Sequence, residues 1–300
     1  MDARELEVEA GGLDGDARAL LGRARIGMLA LNAGRLPLVT PAAFHFGGSA
    51  LWMTTSRHAV KVRLAERDPR AAFLVESERR GVLLQGLLET FDPRTWRAPL
   101  RAALEGPGFA LNVAGYALKN AQFVAGYLLD LASIPGEWWP HNRVLLRLRV
   151  SRLRQLAKPE VSPAQPARLP GVPATIARGV ARNRVGKLCW SLGGNPLLAP
   201  ATWTVDGSDL LAWLPPGSTP REGARAALVV ERHHSFRATR MLGACLRGRL
   251  SSEALALSAL AERYGVEPPE GGAGLRLSVE RVTWWQGFEV HSGKVPAPVG

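Results

Sequence analysis

Short apolar runs of strand length, broken by glycine- and proline-marked turns, cover most of the chain. "GMLALNAGRLPLVTPAAFHFGGSALW", from Gly27, reads as a strand, a Gly-containing turn, a strand carrying Pro41, a Gly-Gly turn and a third strand. Prolines at 41 and 200 cannot donate to a ladder, so the pattern predicts a strand edge or a bulge there. Helical spacing appears in "RHAVKVRLAER", where Val60 and Leu64 share a predicted apolar face and Ser56 is the expected N-cap. A longer apolar stretch, "FALNVAGYALKNAQFVAGYLLDLASI" over 109–134, carries Lys119, Asn120 and Gln122 at its centre. A charge at mid-bilayer costs several kcal/mol, so a packed helix or helical hairpin is expected there. Docking to a membrane surface through 109–134 stays open but is not favoured.

The pattern occurs twice. At a constant offset of 159, Gly27, Leu29, Gly34, Pro37, Leu38, Pro41, Ala42, Gly48, Ser49 and Leu51 recur as Gly186, Leu188, Gly193, Pro196, Leu197, Pro200, Ala201, Gly207, Ser208 and Leu210. "RAAFLVE" at 70–76 then returns as "RAALVVE" at 225–231, "LLQGLLE" as "CLRGRLS", and "LLRLRVSRLRQL" as "GLRLSVERVTWW". An ordered set of matches of this kind is a duplication. The expected organisation is an N-terminal repeat over 1–155 with a helical insertion at about 91–142, a Pro-rich linker over 156–176, and a C-terminal degenerate repeat over 177–300. The linker holds five prolines in "KPEVSPAQPARLPGVPA" and is expected to be extended. The expected fold class is mainly β with helices (β-barrel, α+β), since short antiparallel strands close into barrels that remove exposed edges.

Composition changes little: 46% apolar and 21% charged residues are those of a folded domain protein. The charge of +12 favours anionic partners, but the basic residues are scattered and no nucleic-acid motif is present, so nucleic acid is not an expected partner. Cys189 and Cys245 lie in apolar runs and read as core residues rather than a redox pair. None of the six histidines has metal-ligand spacing, and His233 and His234 fall in a turn where exposure is the default; no metal site is expected. There is no G-x-S-x-G, Cys/His pair or phosphate loop to support hydrolase chemistry, and the catalytic residues are unknown. The acidic start "MDARELEVEAGG" does not read as a signal peptide, which gives a cytoplasmic expectation.

The run from Leu20 to Glu76 resembles the flavin-binding split-barrel family, the pyridoxamine 5′-phosphate oxidase-like proteins and deazaflavin-dependent reductases. The residues that carry the resemblance are Gly27–Leu31, Gly34–Pro41, Leu51–Ser56, Lys61 and Asp68–Glu76. In that family two barrels dimerise around the cofactor, so the resemblance implies two tandem split β-barrel repeats packed as an intramolecular pseudo-dimer. It implies a cofactor phosphate at Thr54, Thr55, Ser56 and Lys61, with Val39, Thr40 and Pro41 beside the ring. The cofactor would be FMN, or alternatively the deazaflavin coenzyme F-420. A helix N-terminus with a lysine one turn in suits a phosphate on physical grounds as well. Opposite "TTSRHAVK" the second copy has "WLPPGSTPREG", without the helix or the lysine, so one cofactor per chain is expected. The opposite wall would come from Trp190, Trp203, Trp213, Trp284 or Trp285; adjacent strand residues face opposite ways, and Trp285 is preferred over Trp284. The expected activity is a flavin- or deazaflavin-dependent oxidoreductase acting on a small-molecule substrate, by a monomer acting as a pseudo-dimer or by a homo-oligomer. Haem binding or processing on the same scaffold, and a non-catalytic binding module, are the alternatives.

Overall fold

A computed structural model describes residues 13–295, apart from 35, 96–98, 101–102, 105, 160, 162–163, 218, 235–236 and 255. The acidic segment 1–12 therefore lies outside the described residues. The first repeat begins with α1 (Gly15–Arg23), whose N-cap Asp14 accepts from the Ala17 amide at 2.6 Å. Strands β1 (Ile26–Ala33), β2 (Leu36–Gly47), β3 (Ala50–Ser56), β4 (Arg70–Glu76), β5 (Arg80–Phe91) and β6 (Arg143–Ala157) close into a barrel in the order β1-β2-β3-β6-β5-β4. Between β3 and β4 lies α2 (Val60–Arg67), and between β5 and β6 lie α3 (Pro107–Lys119), α4 (Ala121–Leu129) and three short 3-10 turns.

The second repeat follows the same plan. After α5 (Ala174–Val180) come β7 (Gly186–Leu192), β8 (Asn195–Asp206), β9 (Asp209–Leu214), β10 (Arg225–Arg232), β11 (Leu242–Ser252), α6 (Ala256–Tyr264), β12 (Ala273–Gln286) and β13 (Glu289–Lys294). The β11–β12 pairing closes this sheet too, and β13 pairs along the second half of β12. α5 starts 159 residues after α1, so the helix before the first strand is duplicated along with the strands.

Side-chain alternation divides β1 between two cores. Leu29 and Leu31 join Phe44, Met53, Phe73 and Leu84 inside the first barrel, while Met28 and Ala30 join Leu188, Leu198, Trp203 and Leu228 in a core shared by both repeats. The barrels are thus joined by apolar burial, at roughly 1.5–3 kcal/mol for each fully buried large side chain. Leu169 and Val172 of the proline-rich connection enter the same core, so that segment is fastened down along part of its length.

Two local expectations need correction, and a third is met in its edge form. α2 starts at Val60 with Ala59 as N-cap and no side-chain cap bond; Ser56 instead closes a tight turn by accepting from the His58 amide at 3.1 Å. The buried face of α2 is Val62 and Ala65, and Val60 is half exposed, because the helix opens later than the spacing suggested. Pro41 sits in a continuous strand without a bulge. β2 pairs with β1 through residues 36–43 and with β3 only from Phe44 on, which leaves Pro41 on a free edge. The same division recurs at Pro200, in β8.

The stretch 109–134 contains two consecutive helices that meet at Asn120, and among the described residues no helix is long and apolar enough to cross a membrane. Leu111, Leu118, Leu128 and Leu129 of these helices are exposed. Cys189 and Cys245 are free, buried thiols in the shared core, and burial pushes both above the ordinary thiol range.

Candidate functional site

The end of β3, the start of α2 and the start of β6 meet at one corner of the first barrel. β3 pairs with β6 so that Ser56 stands opposite Arg143. The strand period separates the three hydroxyls predicted to act together. Met53 faces the barrel interior, so Thr55 does too: it is buried, and its Oγ1 has no hydrogen-bond partner. Thr54 and Ser56 face the other way, and both are already engaged. Arg143 Nη2 donates to Thr54 Oγ1 at 2.6 Å, and the Tyr116 hydroxyl lies 3.0 Å from that oxygen. Ser56 Oγ donates to the Glu137 carbonyl at 2.5 Å. Tyr116 belongs to α3 and Glu137 to the 3-10 turn Gly136–Trp138, so the insertion covers this corner.

Lys61 is the second residue of α2 and is half buried. Among the described residues its ammonium group has no ion-pair or hydrogen-bond partner. Burial lowers its pKa to about 8, and the positive charge of Arg143 adds to the effect. Arg143 likewise has no carboxylate partner among the described residues; it lies over the Tyr127 ring, 5.4 Å from the centroid, as it reaches Thr54. Two cations held close together with no counter-charge, beside a hydroxyl already aligned by one of them, have the donor set of an anion site. Lys61, Arg143 and Thr54 are the side chains that could hold a phosphate there. Thr55 does not share that face.

The second repeat has no such corner. The described residues of 215–224 form no helix, and Trp213 of β9 stands at the position of Thr54. Trp213 is buried against Leu260 and Tyr264 of α6, so an indole and a helix fill the equivalent space.

Val39, Thr40 and Pro41 lie across β1 from Ala30, Leu29 and Met28. Val39 is in the core shared by the repeats, and Thr40 and Pro41 are partly buried. Met28 also lines a cavity of about 340 Å³ between the repeats, with Gly27, Leu74 and Glu76 from the first barrel, Phe123 and Asn120 from the insertion, and Lys187, Glu231 and His233 from the second. α3 links the two places: Tyr116 touches Thr54, and one turn on Asn120 Nδ2 donates to the Phe44 carbonyl at 3.2 Å beside the cavity. Trp285 is buried in the shared core in register with Gly243, which is itself in register with Glu231. Trp284 stacks on His291 at 5.8 Å.

Sequence reasoning missed two sets of residues. Arg143 follows the insertion and becomes a neighbour of Thr54 only through barrel closure, so no local motif announces it. Glu76, Lys187, Glu231 and His233 form a charged cluster at the interface of the repeats. Lys187 lies 3.3 Å from Glu76 and 3.7 Å from Glu231, and His233 Nδ1 lies 3.1 Å from Glu231. The available signal was the repeat itself, because Glu76 and Glu231 end the two copies of the same motif, and Lys187 replaces Met28.

Residues 14–118 match the family model described as pyridoxamine 5′-phosphate oxidase. The match runs from the cap of α1 into α3. No curated protein matches the chain. Solved structures similar to about half of it include a pyridoxamine 5′-phosphate oxidase-related, FMN-binding protein from Nostoc punctiforme, at 19% identity over 48% of this chain and 82% of that one, TM-score 0.33. An FAD-binding protein from Mesorhizobium loti matches at 15% identity over 48% and 94%, TM-score 0.33. A haem-binding protein from Mycobacterium smegmatis matches at 17% identity over 37% and 52%, TM-score 0.31.

Proposed function

We propose that this chain, whose first repeat is of the pyridoxamine 5′-phosphate oxidase-like split-barrel family, binds one flavin-type cofactor per molecule, FMN or the deazaflavin coenzyme F-420. The cofactor would serve oxidoreductase chemistry on a small organic substrate. The observation that carries this reading is the pair of uncompensated cations, Lys61 and Arg143, where the family resemblance requires a phosphate. The bound group supplies the hydride or electron chemistry, and the protein supplies position and electrostatics.

Lys61 and Arg143 would neutralise the phosphate, with the Thr54 hydroxyl held beside them by Arg143. Tyr116 and the Glu137 turn cover the corner and keep water from it, which strengthens each charge contact. The edge of β2 at Val39–Pro41, which is unpaired on its β3 side, would border the ring. With Trp213 in place of Thr54, the second corner takes no phosphate, hence one cofactor per chain.

Titration of the purified chain with FMN and with F-420, followed by absorbance and fluorescence, tests the reading. One of them is expected to bind saturably at one equivalent. Exchange of Lys61 for Ala is expected to weaken that binding by about 1.5–3 kcal/mol, the usual size of a charge-assisted contact. If neither cofactor binds, or if the variant binds as tightly as the wild type, Lys61 is not a phosphate anchor.

A further inference from the structure

The polar end of the cavity between the repeats has a division of labour that cofactor anchoring does not use. Glu231 is almost wholly buried, its side chain 2% exposed, while His233, two residues further on, is 48% exposed and lines the same cavity. His233 Nδ1 meets Glu231 Oε1 at 3.1 Å, and among the described residues Nε2 has no partner. A carboxylate beside Nδ1 holds the ring proton on that nitrogen, so Nε2 presents a lone pair. Glu231 stays anionic to do this. Burial pushes its pKa up, but the His233 hydrogen bond and the Lys187 charge outweigh burial and leave it below the ordinary value.

The remaining charged groups on the cavity are Arg25, Glu76 and Lys187. Lys187 is kept cationic by the two glutamates, against the burial that opposes its charge. The rest of the wall is largely apolar, with Ile26, Met28, Leu74 and Phe123.

We propose that His233, oriented by Glu231, is the proton acceptor for a small, largely apolar ligand that enters the cavity between the repeats and carries one weakly acidic O–H or N–H, of which a phenol is the simplest. The ring of the ligand lies among Met28, Leu74 and Phe123. Its hydroxyl meets Nε2, and the proton passes from oxygen to nitrogen while the oxygen keeps the bonding pair. The imidazolium formed is balanced by Glu231, and the phenolate by Lys187 and Arg25. No oxidant or reductant takes part, so the step requires no cofactor and stands apart from the phosphate site at Lys61.

The test uses the full chain and 4-nitrophenol, whose absorbance separates phenol from phenolate. At a pH where the free probe is mostly neutral, saturable binding is expected with the bound probe showing the phenolate band. His233→Asn, at an exposed position, is expected to keep the fold and lose that band, with about tenfold weaker binding. Ala24→Trp, which fills the cavity from its wall, is expected to abolish binding without touching the charged cluster. The proposal is overturned if the probe does not bind saturably, if it binds but stays neutral, or if His233→Asn ionises it as fully as the wild type. A chain that takes up FMN yet leaves the probe neutral overturns this proposal alone. One that ionises the probe but binds neither FMN nor F-420 overturns only the cofactor reading.

Discussion

Lys61 is held charged where its surroundings favour the neutral form. Its folded pKa of about 8 lies below that of an unfolded lysine, so between the two values the unfolded chain binds more protons. Stability is therefore reduced in full below about pH 8 and recovers as pH rises toward the ordinary lysine range. Lys61→Met is expected to stabilise the empty protein at pH 7 by on the order of 1–3 kcal/mol, since one pKa unit is about 1.4 kcal/mol. Urea unfolding with and without cofactor checks this, because the same variant should lose cofactor affinity. Affinity in the wild type should also decline as pH rises past about 8, where the empty site begins to lose its ammonium proton. Lys61 stands out in the sequence because its twin is missing from the second copy. A hydroxyl run in a strand points to two faces, so Thr55 turns into the barrel and away from Thr54. His233 reads as a turn residue in the sequence, because the carboxylate beside it becomes recognisable only when the strand end is placed against Lys187.

At the scale of elements, the duplicated glycine in "LLQGLLE" and "CLRGRLS" marks a shared device. The β5–β6 register shifts between Gln85 and Gly86, and the β11–β12 register shifts between Arg247 and Gly248. A Cβ on Gly86 would fall 1.8 Å from the Arg149 carbonyl oxygen, and one on Gly248 would fall 1.8 Å from that of Ser278. The longest strand pair of each barrel turns its corner at a bulge only glycine fits. Gly86→Ala and Gly248→Ala are each expected to lower stability by about 1–3 kcal/mol, the usual penalty for overpacking, as measured by thermal and urea unfolding. Strands and repeats were legible because periodicity and self-similarity are local signals. The role of the insertion was not. Tyr116 and Asn120 lie one helical turn apart, and only the packing of α3 on β2 and β3 reveals that they reach Thr54 and Phe44. Gly115 permits that approach, since a Cβ there would lie 2.6 Å from the His45 ring.

At the scale of the molecule, the two barrels meet across one lysine and two equivalent glutamates. Glu231 has its pKa lowered in the fold, so its contribution is present above the ordinary carboxylate value and is lost as pH falls through the folded one. Lys187 has its pKa raised, so its contribution is full below the ordinary lysine value and is lost as pH rises through the folded one. The bridge therefore supports the assembly from mildly acidic to mildly alkaline pH. Lys187→Met, which copies the residue of the first repeat, leaves the buried Glu231 carboxylate and the partly buried Glu76 without their cation. It is expected to cost about 3–5 kcal/mol at neutral pH, and the loss should shrink on acidification as Glu231 takes up a proton; urea unfolding across pH measures both.

That lysine also gives the interface an address. A first barrel facing its own copy about the same axis would set two Glu76 carboxylates against two Met28 side chains, with no cation between them. Against the second barrel it finds Lys187. Each half is thereby told which half to accept, and the fused chain has left behind the interchangeability of a true twofold dimer.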